Sequence, residues 1–554
     1  MSLPAFSTQT ELFSTAGLSG SLFAPTDRYR LFALKVYPAL ARVRAKLEAC
    51  YCADNGRIAL EPVLLLGVSL LQYLEAVPDR QAVDLLHYHA GWNFALNRQV
   101  GDELFHPTTL VNFRQRLLDH DLGTIGFVTV LEALIEAGLV ARQSRQRLDS
   151  TQMFGRVSRM SRLDCVRESL RLALAELAEK IAEEARPGWW PLLWERYVDS
   201  QADYRAPLET LARKMVEAGT DAQQLLGWLA RPAAQEWARG TQASLLARVF
   251  AEQFEVLAGA AAPQPKTKEQ VSSARVQNPH DPDATYAAKG KGEQKKEHVG
   301  YKVQVAETVC EAVLAPGEPT RNFISGIVTH AARESDPEGS RKMELEQQTM
   351  GMDKPPVQYV DAAYVSTQKL VEAAAEGREL IGPALASPHN NDGRFTPEQF
   401  HVSVEQRTAI CPAGQENTQC SRLQEQATGK VSYRLEWSSA VCGRCPLRQQ
   451  CIKADHPHRT LVVGEHHTTL QARRQEQQTK PFQQRMKHRN AIEGTQSELV
   501  RAHGLRRARY RGLPKARLQN YFIGAACNIK RWLRRTAWEL QNGATATLST
   551  APAR

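Results

Sequence analysis

The sequence predicts an α/β protein. An all-helical N-terminal domain comes first. Strands and helices then share one core, interrupted by a large helical insertion and a Cys-rich one. Three observations predict this. Apolar residues recur mostly at three- and four-residue steps from Tyr29 to about Gly138. The period changes to two at Val299 to Thr308, where Tyr301, Val303 and Val305 alternate with polar neighbours. Five of the ten cysteines fall within residues 384–458, a polar, Gln-rich stretch unlike the rest.

The elements follow in order. Residues 1–26 are rich in Ser, Thr, Gly and Phe without periodicity and read as a flexible arm. Residues 27–140 read as the helical N-terminal domain. Leu31, Leu34, Val36, Leu40, Val43 and Leu47 form its first stripe. Pro62 opens a second helix, Pro78 and Asp79 a third, and His106-Pro107-Thr108-Thr109 starts another. That last helix carries Arg114 and Arg116, which read equally well as a face for a polyanion or as a solvated polar face.

Residues 141–383 read as the first part of the α/β domain. Arg147 to Phe154 supplies a first strand, and residues 160–275 form the helical insertion, ending in a Gln-, Ser- and Pro-containing linker. Strands at Val299–Thr308 and Asn322–His330 follow. A helix with Met343, Leu345 and Met350 comes next, then a strand at Val357–Ala362, a helix at Val365–Glu376 and a strand at Leu380–Gly382. This alternation places helices against a sheet. Residues 384–465 are the Cys-rich insertion. Residues 466–545 return to helices, at His467–Gly504 and Lys515–Leu540, around a basic loop.

The 554 residues carry a formal net charge of +10. A basic balance of this kind favours a polyanionic partner, a nucleic acid or a membrane surface. The longest apolar run, Val63–Leu71, is far shorter than the roughly 20 residues a membrane span needs. No basic segment followed by an apolar run opens the chain, so a cytoplasmic location is expected. The charge is concentrated near the end: Arg485 to Arg535 holds fourteen Lys and Arg against two Glu. Arg501, Arg506, Arg507, Arg509 and Arg511 make a dense run around Tyr510. Such a run gives salt-sensitive, sequence-tolerant contacts to nucleic-acid phosphates.

Reduced thiols in clusters read as metal ligands before disulfides. Cys442 and Cys445 form a C-x2-C pair, Cys451 lies six residues beyond, and Cys411 lies upstream. Zinc takes four such ligands tetrahedrally. Cys411, Cys442, Cys445 and Cys451 are the expected set for a structural Zn²⁺. Cys420, His456 and His458 offer substitutes, and free or redox thiols or another metal are the other readings.

Three acids carry a further pattern. Asp149 sits on the first strand, Asp361 ends a later one, and Glu493 lies in a basic helix. Two-metal phosphoryl transfer needs hard oxygen ligands, and carboxylates supply them. The plain alternatives are a helix cap for either Asp and an internal neutraliser of arginines for Glu493. Asp281, Asp283, Asp336 and Asp353 are other possible ligands, most of them better read as turn or capping residues.

Three blocks resemble the insertion-sequence transposases with a DDE catalytic domain, the group with a Tyr–Arg–Glu–Lys signature. They are Leu148-Asp149-Ser150-Thr151, Tyr359-Val360-Asp361-Ala362-Ala363-Tyr364, and Arg489-Asn490-Ala491-Ile492-Glu493 followed by Gly504 to Gly512. Asp79 to Ala82 and Phe105 to Leu110 resemble the N-terminal domain of the same proteins. Met486 stands where the signature Tyr is usual, and Val500 where the Lys would fall.

The resemblance implies a ribonuclease H-like core and a DNA transposase that cuts element ends and joins them to target DNA. Asp149 and Asp361 would share one Mg²⁺ or Mn²⁺, and Glu493 would complete a second site. Arg489 would grip a phosphate nearby, its alternative being an ion pair with Glu493. Arg114, Arg116 and the arginines from Arg501 to Arg511 would contact DNA. The partners implied are the element's terminal inverted repeats, target DNA and a second copy in a synaptic complex at the nucleoid. The competing functions are a nuclease of the same fold without strand transfer, and a catalytically silent or repurposed DNA-binding protein.

Overall fold

Six strands form the central sheet: β1 (Gln146–Phe154), β2 (Thr285–Lys289), β3 (Lys296–Thr308), β4 (Ile324–Ala331), β5 (Val357–Tyr359) and β6 (Glu379–Ile381). This computed structural model describes residues 2–3, 15–52, 56, 58–99, 102, 104–200, 207–290, 292–385, 393–426 and 429–549. β1 is central. β3 pairs with it antiparallel, setting Asp149 opposite Val305. β5 joins its other edge in parallel and β6 continues outward, also parallel. β2 and β4 both pair antiparallel with β3. Buried Leu148 and Met153 pack on different apolar clusters, so β1 is covered on both faces.

The N-terminal helices are α1 (Pro62–Leu74), α2 (Asp79–Tyr88), α3 (Thr108–Asp119) and α4 (Ile125–Glu136). Residue 1 and residues 4–14 of the expected arm lie outside the described residues. From Thr15 onward that segment packs instead: the Thr15 hydroxyl donates to the Arg98 carbonyl, and Phe23 lies 4.7 Å from Phe94 between ring centres. Its aromatic residues carry it onto the helices. Leu34 also departs from its expected stripe, at 62% exposure, while Phe32 is buried. A π-turn at Phe32–Val36, just before Pro38, rotates the register.

The insertion contributes α5 (Arg162–Lys180), α6 (Leu208–Leu229) and α7 (Thr241–Gln253). Leu170, Leu174, Leu225 and Leu246 close a core of its own. In the α/β part, α8 (Asp336–Thr349) and α9 (Thr367–Ala375) cover one sheet face, where Met343, Leu370 and Ala373 bury Leu148 and Val360. The Cys-rich region holds a hairpin of β7 (His401–Ser403) with β8 (Thr408–Ile410), and a three-stranded sheet of β9 (Gln419–Gln424), β10 (Val431–Glu436) and β11 (Thr460–Gly464). Among the described residues, no helix is long and apolar enough to cross a membrane.

Three helices finish the chain: α10 (Lys480–Asn490), α11 (Ile492–His503) and α12 (Leu513–Ser549). α12 packs on β4 and on the N-terminal helices at once. Phe522 stacks on Tyr73 of α1 at 5.4 Å, a contact worth about 1 kcal/mol beyond its burial. Asn528 bridges both backbone groups of Ile324 on β4. Gly524 lets the helix approach closely: a Cβ there would meet Phe127 at 3.1 Å and Ile327 at 3.2 Å. One apolar cluster therefore joins the N-terminal helices, α12 and the sheet.

Candidate functional site

Asp149 is fixed by β1. Its Oδ1 accepts the Ser150 backbone N–H at 2.8 Å, which aims Oδ2 away from the strand. β5 ends at Tyr359, and Asp361 caps the short 3₁₀ turn Ala362–Tyr364. Its Oδ1 accepts the Ala363 N–H at 2.8 Å. The capping reading and the site reading of Asp361 thus describe one geometry: the cap holds one oxygen and leaves the other outward.

Those outward oxygens meet on a single guanidinium. Arg489 Nη2 lies 3.0 Å from Asp149 Oδ2 and 3.7 Å from Asp361 Oδ2, and Arg489 Nη1 lies 3.3 Å from Glu493 Oε1. Strand, strand end and helix bring three acids from distant parts of the chain to one positive charge. Unit charges 4 Å apart near a protein surface interact by about 4 kcal/mol, so each of the three carboxylates is offset by the guanidinium they share. Burial pushes the Asp149 carboxyl above its ordinary range. Arg489 and the Ser150 N–H pull it back, while Asp361 and Asp336 add to the rise. Hard oxygens, two of them pre-aimed, around a point that already holds positive charge fit a divalent cation such as Mg²⁺.

A buried hub that the sequence reading missed sets this geometry. Glu307 on β3 is fully buried. It takes Arg147 Nε at 2.6 Å, Thr495 Oγ1 at 2.8 Å and Arg531 Nη1 at 2.6 Å. Arg147 also donates to the His488 carbonyl at 3.0 Å, and Gln496 to the Ser150 carbonyl at 3.2 Å. The helices carrying Arg489 and Glu493 are thereby locked to the strand carrying Asp149. The signal was present but easy to pass over. Glu307 shares the apolar face of Tyr301, Val303 and Val305, where a carboxylate needs buried partners. Asp336, read as a capping residue, lies in the first turn of α8 and accepts from Ser150 Oγ at 2.9 Å and from Lys302 Nζ at 3.2 Å. Asp281 and Asp283 accept the Gly512 and Leu513 N–H groups at the start of α12.

The predicted arginines divide. Arg501, Arg506, Arg507 and Arg511 are exposed. Backbone bonds between Phe154 and the Arg506–Ala508 segment hold that loop against the end of β1. Arg114 does not face outward. It is 5% exposed, grips Asp79 through both Nη atoms and lies under Tyr510, 5.2 Å from the ring centre. The half-buried Asp79 carboxylate draws it inward. Arg509 is half-buried over Tyr73 and donates to the Val77 carbonyl. Arg116 is half-buried over Tyr51. Met486, at the signature's Tyr position, packs against a cluster with Phe482 and Tyr359, and Val500 packs on the main core. Both positions are apolar because both face protein.

Cys411, Cys442, Cys445 and Cys451 line one cavity of about 20 Å³, together with Trp437, Arg448 and Arg459. Cys420, His456 and His458 are not among its lining. The Gln415 N–H points at Cys411 Sγ (3.4 Å) and the Arg459 N–H at Cys442 Sγ (3.5 Å). Burial pushes the Cys451 thiol up. Arg459 lowers it, and the other three cysteines raise it further. Four cysteines around one cavity, two of whose sulfurs receive backbone N–H groups, are a donor set suited to zinc. Elsewhere Glu498, His503 and Cys527 bring one ligand atom each within 4.8 Å of one another. Glu498 there is taken by Lys530 and Arg531, at 2.9 Å each, and those charges oppose a cation.

Residues 410–533 match the family model described as Transposase DDE domain, and residues 21–116 match Transposase domain (DUF772). The first takes in the four cysteines, Arg489 and Glu493, and does not reach Asp149 or Asp361. Together they support an insertion-sequence DDE transposase, and such a domain implies DNA as the partner. No curated protein matches the chain.

Proposed function

We propose that this chain, which transposase family models match over residues 21–116 and 410–533, cuts DNA at the ends of its element and joins the freed ends to target DNA. The convergence of Asp149, Asp361 and Glu493 on one guanidinium carries this reading. The strand order supports a ribonuclease H-like core: β4, β3, β1, β5 and β6 lie side by side, with only β3 antiparallel to β1 among the strands beside it.

Asp149, Asp361 and Glu493 would hold two Mg²⁺ or Mn²⁺ ions. When bound, the ions offset the charge that develops on the attacking and leaving oxygens of an in-line displacement. The protein's own part is orientation. The Ser150 and Ala363 N–H groups hold each Asp with one oxygen toward the centre. Arg489, one helical turn from Glu493, is placed to take a phosphate oxygen beside the acids. Exposed Arg501, Arg506, Arg507 and Arg511 extend that positive surface along the backbone of the duplex. Two copies of the chain would pair two element ends before joining.

The test is a reaction of the full chain with labelled duplexes carrying its element's inverted repeats, and an unlabelled plasmid target. Joined products with Mg²⁺, lost on chelation, are expected. Cutting without joined products would favour the nuclease reading, and binding without cutting the silent one.

The Cys-rich region would hold one structural zinc on Cys411, Cys442, Cys445 and Cys451. Metal analysis of the purified chain should then find zinc near one per molecule, and Cys442→Ser should lose it and melt at lower temperature. Zinc-free protein whose melting ignores both chelator and added zinc would refute the site.

A further inference from the structure

We infer that Arg489 is the resident counter-ion of the acidic site: the divalent cations load only as it leaves, and duplex DNA draws it out. This rests on the cation site proposed above.

The competition is visible atom by atom. Asp149 and Asp361 each spend Oδ1 on a backbone N–H. The oxygens left for a cation are the two Oδ2 atoms, and both face Arg489 Nη2. Glu493 turns Oε1 to Nη1 of the same group. The guanidinium and the cations therefore need the same three oxygens. Among the described residues, its Nη atoms meet carboxylates alone, and its Nε is buried without a partner. The head is thus held by carboxylates, through charge and two hydrogen bonds, on an arm at the last turn of α10. The way out is open on the Glu493 side, where that side chain is 71% exposed.

A phosphate offers the guanidinium a bidentate partner in exchange for the carboxylates. Whatever draws Arg489 off the acids makes the cations bind more tightly, and by linkage the cations tighten DNA binding equally. Free protein is then poorly loaded, and the acids become competent where DNA is present. Arg489 is a positioning residue here, acting through the acids.

Mn²⁺ affinity of the full chain, measured by calorimetry and by the Mn²⁺-induced rise in melting temperature, tests this without any cleavage readout. Wild type, Arg489→Lys, Arg489→Gln and Asp149→Asn are each titrated with and without a random-sequence duplex. Without DNA, Arg489→Gln should bind Mn²⁺ about tenfold more tightly than wild type, within the usual range of coupling. Arg489→Lys, which keeps the charge but loses the fork, should fall between them. DNA should tighten Mn²⁺ binding to wild type and leave Arg489→Gln unchanged. Equal or weaker Mn²⁺ binding by both Arg489 variants, with binding still lost in Asp149→Asn, overturns the counter-ion role and spares the cation site. Undiminished Mn²⁺ binding by Asp149→Asn overturns the cation site itself.

Discussion

Asp149→Asn should cut DNA about 10³-fold more slowly than wild type, or worse, while binding a duplex as well as wild type does. The substitution is nearly isosteric. The Asn carbonyl can still accept the Ser150 N–H that orients Asp149 now. What is lost is the negative charge at the atom facing Arg489. If that atom is a cation ligand, several kcal/mol of charge stabilisation go with it, and each 1.4 kcal/mol is about tenfold in rate. On the proposed reading duplex affinity would rest on the exposed arginines of the Arg501–Arg511 run, which the change leaves in place. Cleavage of a labelled element end and a mobility-shift titration read the two quantities separately. Cutting at the wild-type rate would remove Asp149 from the chemistry.

The second large effect concerns stability. Glu307→Ala should destabilise the protein by about 3–5 kcal/mol, because removing one partner of a buried ion network strands the other. Arg147 and Arg531 are 4% and 5% exposed. Without Glu307, Arg147 keeps the His488 carbonyl and Arg531 keeps Glu498, yet both lose their shortest contacts, at 2.6 Å. Glu307→Gln, which keeps shape and hydrogen bonding but not charge, should cost less. Glu493→Gln is the control: its side chain is 71% exposed, so stability should barely move. Denaturant midpoints measure all three. A Glu307→Ala protein as stable as Glu493→Gln would refute the hub.

Legibility from sequence followed how local each cause was. The strand at Gln146–Phe154 and the alternation through Tyr301, Val303 and Val305 are local, and the residues announce them. The acids were legible as three candidates, but only likeness to a family tied them into one set. Periodicity cannot see that Glu493 meets a strand more than three hundred positions earlier. Arg114 and Arg116 sit two residues apart, and nothing local says that Arg114 turns inward to Asp79. The sheet of β9, β10 and β11 was hidden for another reason. β9 is mostly exposed and polar, so it carries no apolar stripe, and its order comes from pairing with β10. Nothing local says that Tyr510 turns inward from the basic run, its hydroxyl 3.3 Å from that of Tyr73, inside the joint between α1 and the basic loop.

That joint bears on how the molecule is made. Tyr73, Phe127 and Gly126 belong to the first quarter of the chain, and the surfaces they need, on Phe522 and Gly524, belong to the last tenth. While the polypeptide emerges from the ribosome, its opening helices can pack on one another, but the sides that meet α12 have no partner yet. Those sides stay wet until α12 is released, so a chain stopped short of residue 513 leaves them uncovered.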